Sequence, residues 1–276
     1  MSKIFKNIIA IDFGGTKIRT ALFKNNRISK ECEKLTYANK GKKIILKQLF
    51  SSIEEVKGNK KIHAIGIGSP GPLKDGKIIN APNLPFNNFD IKKTLQNKFK
   101  VKIVVENDAN CAAIAEAKLG IKKKNFILLT LGTGIGGGII INGQIYKGQG
   151  NAGELGHIII DHGKDLESLT AGKFIIQEST RLFGKNMFLN ELSKHKKARY
   201  LVSQIKNHLA EGLASLINVF DPEIIVLTGG FKNEGQKFVN DIKKLTYSKT
   251  INPSKPPIVW SKLKNPGLMG AYLIAK

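Results

Sequence analysis

Two stretches of this chain share one design: an apolar strand, a turn made almost wholly of glycine, and a second apolar strand. Residues 8–23 read IIAIDFGGTKIRTALF and residues 126–141 read FILLTLGTGIGGGIII. A hairpin with so little bulk at its turn lets successive backbone N–H groups close on an anion such as a phosphate. The second turn, Gly132 to Gly137, spells G-x-G-x-x-G, which invites a dinucleotide-binding assignment. That assignment needs a helix after the glycines, whose N-terminus faces the pyrophosphate. Here Ile139, Ile140 and Ile141 follow. A β-branched run of this kind reads as a strand, and the dinucleotide fold is excluded.

The rest of the chain repeats around these hairpins. Strands are predicted at about 7–13, 17–23 and 27–35, a helix near 41–57, and a strand at Ile62–Gly68. A loop dense in Pro and Gly follows from Ser69 to Phe89, then a helix near 90–99, strand Val101–Val105 and helix Asp108–Leu119. The order then restarts with strands at 126–132, 136–142 and near 144–146, a loop, and helices at about 166–182 and 197–219. Strand Ile224–Leu227, a helix near 234–248, a strand near 257–260 and a helix over 266–275 complete it. A meander followed by alternating helix and strand, twice over, predicts a duplicated α/β architecture with a mixed sheet in each half. The expected division is 1–120 for the first domain and 121–264 for the second, with the last helix, about 265–276, returning to the first.

The chain has 276 residues and a formal net charge of +24. Such a charge suits nucleic acid or an anionic membrane surface. The basic residues are mostly Lys and are spread along the chain, however, whereas base recognition and bidentate phosphate contacts favour Arg. A solvated lysine-rich surface is therefore expected, with no specific nucleic acid and no membrane among the partners. Cys32 and Cys111 are the only cysteines and lie far apart, which fits a reducing compartment and a cytoplasmic protein. The start, MSKIFKNIIAID, is too short in apolar residues for a signal segment.

Several residues carry chemistry. Asp12 ends the first strand ahead of Phe13-Gly14-Gly15-Thr16; a carboxylate there can hold Mg²⁺, directly or through water, beside phosphate oxygens. Turn stabilisation alone would also explain an Asp at this place. Glu106-Asn107-Asp108 joins an apolar strand to an Ala-rich helix, where Asn or Asp is ordinarily an N-cap. Strand ends are also where ligands bind in α/β sheets, and Asp108 could accept a proton from a hydroxyl that Asn107 orients. The stretch from Gly150 to His157, GNAGELGH, sets Glu154 and His157 three residues apart among glycines, and Glu167 heads the next helix. A first-turn Glu that complements the helix dipole is an adequate alternative for the last.

Taken together, DFGGTKI at 12–18, GSPGP at 68–72, APNLP at 81–85, VENDANCAAIAE at 105–116, LGTGIGGG at 131–138, GNAGELGH, LTGG at 227–230 and GLMGAYLIA at 267–275 resemble the ROK family of sugar kinases. That family lies within the actin/hexokinase/Hsp70-like superfamily, and the resemblance covers almost the whole chain in order. It implies a two-domain, duplicated ribonuclease-H-like fold and ATP- and Mg²⁺-dependent phosphorylation of a hexose. Carried over by position, Gly14, Gly15, Thr16, Lys17, Gly132, Thr133 and Gly134 would hold the ATP phosphates, Gly229 and Gly230 the adenosine, and Asp12 the metal. Gly71, Asn83, Asn107, Asp108, Glu154, His157 and Glu167 would serve the sugar, with Pro70 shaping the same loop and Asp108 the general base. Domain closure about the boundary near 120 would expel water before transfer, and a homodimer is expected.

One departure stands out. The family typically follows its Gly-His with a C-x-C-G-x-x-G-C segment that binds structural zinc. Residues 158–167 here are IIIDHGKDLE without a cysteine, so a Cys₃His zinc site is not expected. A substitute site from His157, Asp161, His162 and Asp165 has no familiar ligand spacing. Glucose is the expected acceptor, ahead of N-acetylmannosamine, N-acetylglucosamine or fructose. A sugar-sensing regulator without catalysis is the alternative from another class; such relatives carry a DNA-binding domain before the first strand, and none is expected here. A chaperone-like or cytoskeletal ATPase would require further subdomains.

Overall fold

The computed structural model describes residues 7–81 and 83–276. The first six residues of the predicted start and Pro82 of the APNLP stretch lie outside the described residues. The chain forms two compact units. The first runs to Gly120 and also takes in Lys147–Ala152 and Leu263–Lys276; the second comprises Ile121–Tyr146 and Gly153–Lys262.

In the first unit, β1 (Ile8–Phe13), β2 (Lys17–Lys24) and β3 (Arg27–Leu35) form an antiparallel meander. Helix α1 (Lys42–Lys57) leads to β4 (Ala64–Ser69), which runs parallel to β1. A small antiparallel sheet of β5 (Leu73–Lys74), β6 (Lys77–Asn80) and β7 (Asn87–Asp90) precedes α2 (Ile91–Phe99), β8 (Lys102–Asn107) and α3 (Asp108–Lys118). The main sheet has the order β3-β2-β1-β4-β8. Its centre, β1, is almost wholly buried, whereas β3 is an exposed edge rich in charged residues, a pattern that discourages pairing with a further strand. Helix α1 covers the sheet with Ile45, Leu49, Ile53 and Val56, one stripe at helical spacing.

The second unit repeats the plan. Strands β9 (Phe126–Leu131), β10 (Ile135–Ile141) and β11 (Gln144–Ile145) form the meander. A hairpin of β12 (Ile159–Asp161) and β13 (Lys164–Asp165) leads into α4 (Leu166–Thr170), α5 (Gly172–Phe183), α6 (Leu189–Leu192) and α7 (Arg199–Phe220). Then come β14 (Ile224–Thr228), parallel to β9, followed by α8 (Gly235–Tyr247) and β15 (Ile258–Trp260), in a sheet of order β11-β10-β9-β14-β15. Three antiparallel strands followed by two parallel ones recur in both sheets. The chain is thus a duplicated mixed-sheet α/β protein.

The final helix, α9 (Pro266–Ala275), belongs to the first unit. It packs Leu268, Ala271 and Tyr272 with Ile8, Ala10 and Phe23, and Tyr272 stacks on Phe23 with ring centroids 4.1 Å apart. The approach is closer than ordinary side chains allow. A Cβ on Gly66 would collide with the carbonyl oxygen of Ala271, and one on Gly270 with that of Cys111. Both glycines are set by this contact.

Four local expectations change. The Pro/Gly loop from Ser69 to Phe89 contains the three short strands β5–β7. The helix expected over 166–182 is broken between α4 and α5, where Ala171 is extended (ψ 162°). The loop from 158 to 165 is a hairpin, and Lys147–Ala152 groups with the first unit. Among the described residues, no helix is long and apolar enough to cross a membrane.

Candidate active site

In the first unit the site begins at two carboxylates. Asp12, on β1, pairs across the sheet with Arg19 on β2 and with Gly68 on β4. Because Gly68 lacks a side chain, the start of α3 comes in close: a Cβ there would lie 3.3 Å from Asp108 Cα and from Cys111 Sγ. The first turn of α9 flanks Asp12 as well, since a Cβ on Gly267 would lie 3.3 Å from its Cγ. Burial, reinforced by the negative charge of Asp108 and opposed by Arg19, pushes the Asp12 carboxyl up to about 6. Burial also raises Asp108, against a 2.8 Å hydrogen bond that its Oδ1 accepts from the N–H of Ala109. The two partly buried carboxylates lie close enough for the charge of one to raise the other, and Asp12 offers a hard oxygen of the kind that suits Mg²⁺. Among the described residues no three His, Cys, Asp or Glu side chains are grouped to hold a metal by themselves.

The corner between β8 and α3 presents Asn107 and Asp108. Asn107 caps α3: its Oδ1 accepts from the N–H groups of Ala109 (2.9 Å) and Asn110 (3.1 Å). The cap uses the oxygen, so the amide NH₂ is the end of Asn107 that a hydroxyl could meet. The glycine turn is tightened by Thr36, which donates its hydroxyl to Gly14 O (2.7 Å) and its N–H to Thr16 O (2.9 Å). Gly15 lies against Asn83, whose Cβ would be 2.9 Å from any added Cβ, so the first hairpin and the APNLP stretch meet. Gly71 sits at φ +80° beside the carbonyl of Asn80. Lys17, expected on the phosphates, is paired with Glu33 at 2.6 Å.

In the second unit the hairpin turn is braced from two sides. The N–H groups of Gly172 and Lys173, at the start of α5, donate to the carbonyls of Gly132 (2.8 Å) and Thr133 (3.1 Å). This contact is the reason for the break before α5. Glu167, in the first turn of α4, accepts from the N–H of Ile135, and its Oε2 would lie 2.5 Å from a Cβ on Gly134. Gly229, at φ +96°, lies against Leu131, while Gly230 has open space beside it. Glu154 precedes a 3-10 turn over Leu155–His157. His157 Nδ1 is 2.8 Å from Asp165 Oδ2, and this bond raises the imidazole above its ordinary value. Asp165 also caps α4, its Oδ1 accepting from Ser168 N at 2.7 Å. His162 is almost fully exposed, and its Nε2 is 3.5 Å from Asp161 Oδ1.

Sequence reasoning assigns no role to Thr36, Ser69, Glu106 or Lys147. Ser69, at the end of β4, has a buried hydroxyl with no hydrogen-bond partner among the described residues, next to Asn107 in the strand pairing. Its neighbour Pro70 and the GSPGP spacing signal a turn, but nothing signals an unpaired hydroxyl. Glu106 is buried and bonded to Lys147, a link across some forty residues that no local pattern encodes.

A model of the ROK family matches residues 8–276. A glucokinase of Halalkalibacterium halodurans is 30% identical over 86% of this chain and 84% of its own length. An N-acetylmannosamine kinase of Salmonella typhi is 28% identical over 97% and 98%. A putative xylose repressor of Caldicellulosiruptor is 27% identical over 88% of this chain and 71% of the repressor. Among solved structures, the ROK hexokinase from Thermus thermophilus superposes with a TM-score of 0.81, at 31% identity over 98% and 97% of the two chains. A ROK glucokinase from Streptomyces griseus, in complex with glucose and AMPPNP, gives a TM-score of 0.84 at 25% identity, covering 98% and 99%. The duplicated fold is that of the actin/hexokinase-like proteins.

Proposed function

Because the chain belongs to the ROK family, we propose that it is an ATP- and Mg²⁺-dependent hexose kinase that phosphorylates glucose, with Asp108 as general base. The observation that carries this reading is the pair of carboxylates, Asp12 on β1 and Asp108 at the start of α3. Burial holds both carboxyls above the usual range, and the charge of Asp108 raises Asp12 further. That environment suits one to a cation and the other to proton acceptance. Phosphoryl transfer otherwise needs positioning and charge stabilisation. Mg²⁺, when bound, supplies the latter at the transferring phosphate, and Asp12 would hold it. Gly14–Thr16 and Gly132–Gly134 would hold phosphate oxygens, and Gly229 with Gly230 the adenosine.

Asn83, Asn107, Glu154, His157 and Glu167 would orient the sugar hydroxyls, and Gly71 shapes the same loop. Asp108 takes the proton as the chosen hydroxyl attacks the γ-phosphorus, while the bond from that phosphorus to the β–γ bridging oxygen breaks and ADP leaves. Incubation with ATP, Mg²⁺ and a panel of glucose, mannose, fructose, N-acetylglucosamine and N-acetylmannosamine tests the reading. Glucose 6-phosphate as the fastest product supports it. A faster N-acetylhexosamine moves the acceptor to that class, and no sugar phosphate from folded protein removes the kinase reading in favour of a sugar-binding regulator.

A further inference from the structure

The buried carboxylate of Glu106 is a charged group beneath the Asn107–Asp108 corner that the proposed chemistry leaves without a task. It is 8% exposed. Its Oε1 accepts from the backbone N–H of Asn107 and from the side-chain amide of Asn110, both at 3.0 Å. Its Oε2 meets Lys147 Nζ at 2.5 Å. One carboxylate thereby clamps the last residue of β8 to the first turn of α3 on either side of Asp108.

Lys147 reaches it from a separate piece of chain. The segment Lys147–Ala152 belongs to the first unit although its neighbours in sequence belong to the second. It is closed on itself by two bonds to the Lys147 carbonyl, from Gly150 N (2.7 Å) and Ala152 N (2.9 Å), and Asn151 Oδ1 ties it to Leu73 N at 2.7 Å. The backbone that carries Lys147 is therefore fixed independently of the ion pair.

We propose that Lys147 is a positioning residue for the transfer step: by closing on Glu106 it keeps the strand-to-helix corner in the one geometry that aims Asp108 at the acceptor hydroxyl. The inference rests on the assignment of Asp108 as the base. Without the ammonium group, the buried Glu106 carboxylate would keep two N–H donors but no cation, a costly state that is relieved by swinging outward toward solvent. That movement removes the acceptor for Asn107 N–H and Asn110, and misplacement of a base by about 1 Å costs on the order of 100-fold in rate. Asn83, Glu154, His157 and Glu167, the other residues given to the sugar, are untouched, so the loss falls mainly on kcat, with a smaller rise in KM for sugar through Asn107.

The experiment compares Lys147→Met, Lys147→Arg and the double variant Glu106→Gln/Lys147→Met, well below their melting temperatures. Lys147→Met is expected to lower kcat by about 30- to 100-fold, with KM for sugar and ATP changed by no more than about threefold. Lys147→Arg should recover most of the rate. So should the double variant, because the neutral amide introduced by Glu106→Gln accepts the same bonds without needing a cation. Amide hydrogen exchange at Asn107 should be about tenfold faster or more in Lys147→Met and restored in the other two, a readout that needs no turnover. Unchanged exchange and kcat in Lys147→Met overturn the proposal, as does a loss that Arg fails to rescue or that appears mainly in KM. If Asp108→Asn retains full turnover, the base assignment falls, and the proposal falls with it whatever Lys147→Met does.

Discussion

Glu167 accepts a 2.6 Å hydrogen bond from the backbone N–H of Ile135, so the acid at the head of α4 is tied to the glycine turn of the second hairpin. A residue assigned to the sugar by resemblance is, by geometry, also a brace for the proposed phosphate grip. Glu167→Ala leaves that N–H without its partner, at about 1–3 kcal/mol. Initial rates with both substrates varied should show KM for ATP raised by about tenfold or more, together with KM for sugar. A Glu167→Ala enzyme whose KM for ATP is unchanged would confine the residue to the sugar.

Asp108→Asn keeps the shape of the corner and removes the proton acceptor. A kcat lower by about 10²- to 10⁴-fold is expected, with sugar affinity by calorimetry within a few-fold of the parent. Near-normal turnover would remove Asp108 as base.

The Asp12 carboxyl, at about 6 in the folded chain against an ordinary value of 3.8, makes stability fall as pH rises. A raised acid favours the fold while it is protonated, so the contribution is complete below about pH 4 and is lost as pH climbs through about 6. The difference is about 3 kcal/mol at neutral pH. Asp12→Asn should therefore raise the melting temperature at pH 7, flatten its slope between about pH 4 and 6, and abolish the stabilisation that Mg²⁺ with nucleotide confers. Thermal melts over that range check it; a lower melting temperature for Asp12→Asn at pH 7 would contradict the cost assigned to burying the charged carboxylate beside Asp108.

The His157–Asp165 bond shifts its two partners in opposite directions, the imidazole up and the carboxyl down, the latter against burial that would raise it. Its contribution to stability is present between the two values, lost from the Asp165 side in acid and from the His157 side as pH rises past the folded imidazole value. An NMR titration should place the His157 midpoint above about 6.5 in the parent and lower in Asp165→Asn. Dialysis against a zinc chelator, followed by return of Mg²⁺ alone, should leave melting temperature and turnover unaltered; dependence of either on added zinc would show a metal at this hairpin.

The two glycine hairpins and the alternation after each are legible in the sequence because strand period, turn chemistry and N-cap preference are local. What escapes is set by distant contact. The break before α5 reads as continuous helix in the sequence, since only the carbonyls of Gly132 and Thr133, some forty residues earlier, draw its first N–H groups away. The strands β5–β7 are too short for periodicity to show among the prolines and glycines. Asn107 reads both as a cap and as a ligand, and its oxygen and its amide leave room for the two roles. Resemblance puts Lys17 on a phosphate, and nothing in DFGGTKI foretells that Glu33, on the next strand, takes its ammonium group.

Helix α9 also imposes an order on synthesis. Leu268, Ala271 and Tyr272 complete the cluster around Ile8, Ala10 and Phe23, yet the ribosome supplies them some two hundred and fifty residues after β1. Until then one face of the first sheet lacks this cover, while every strand of the second sheet has already been made. The unit whose strands are synthesised first is thus the unit whose chain is completed last.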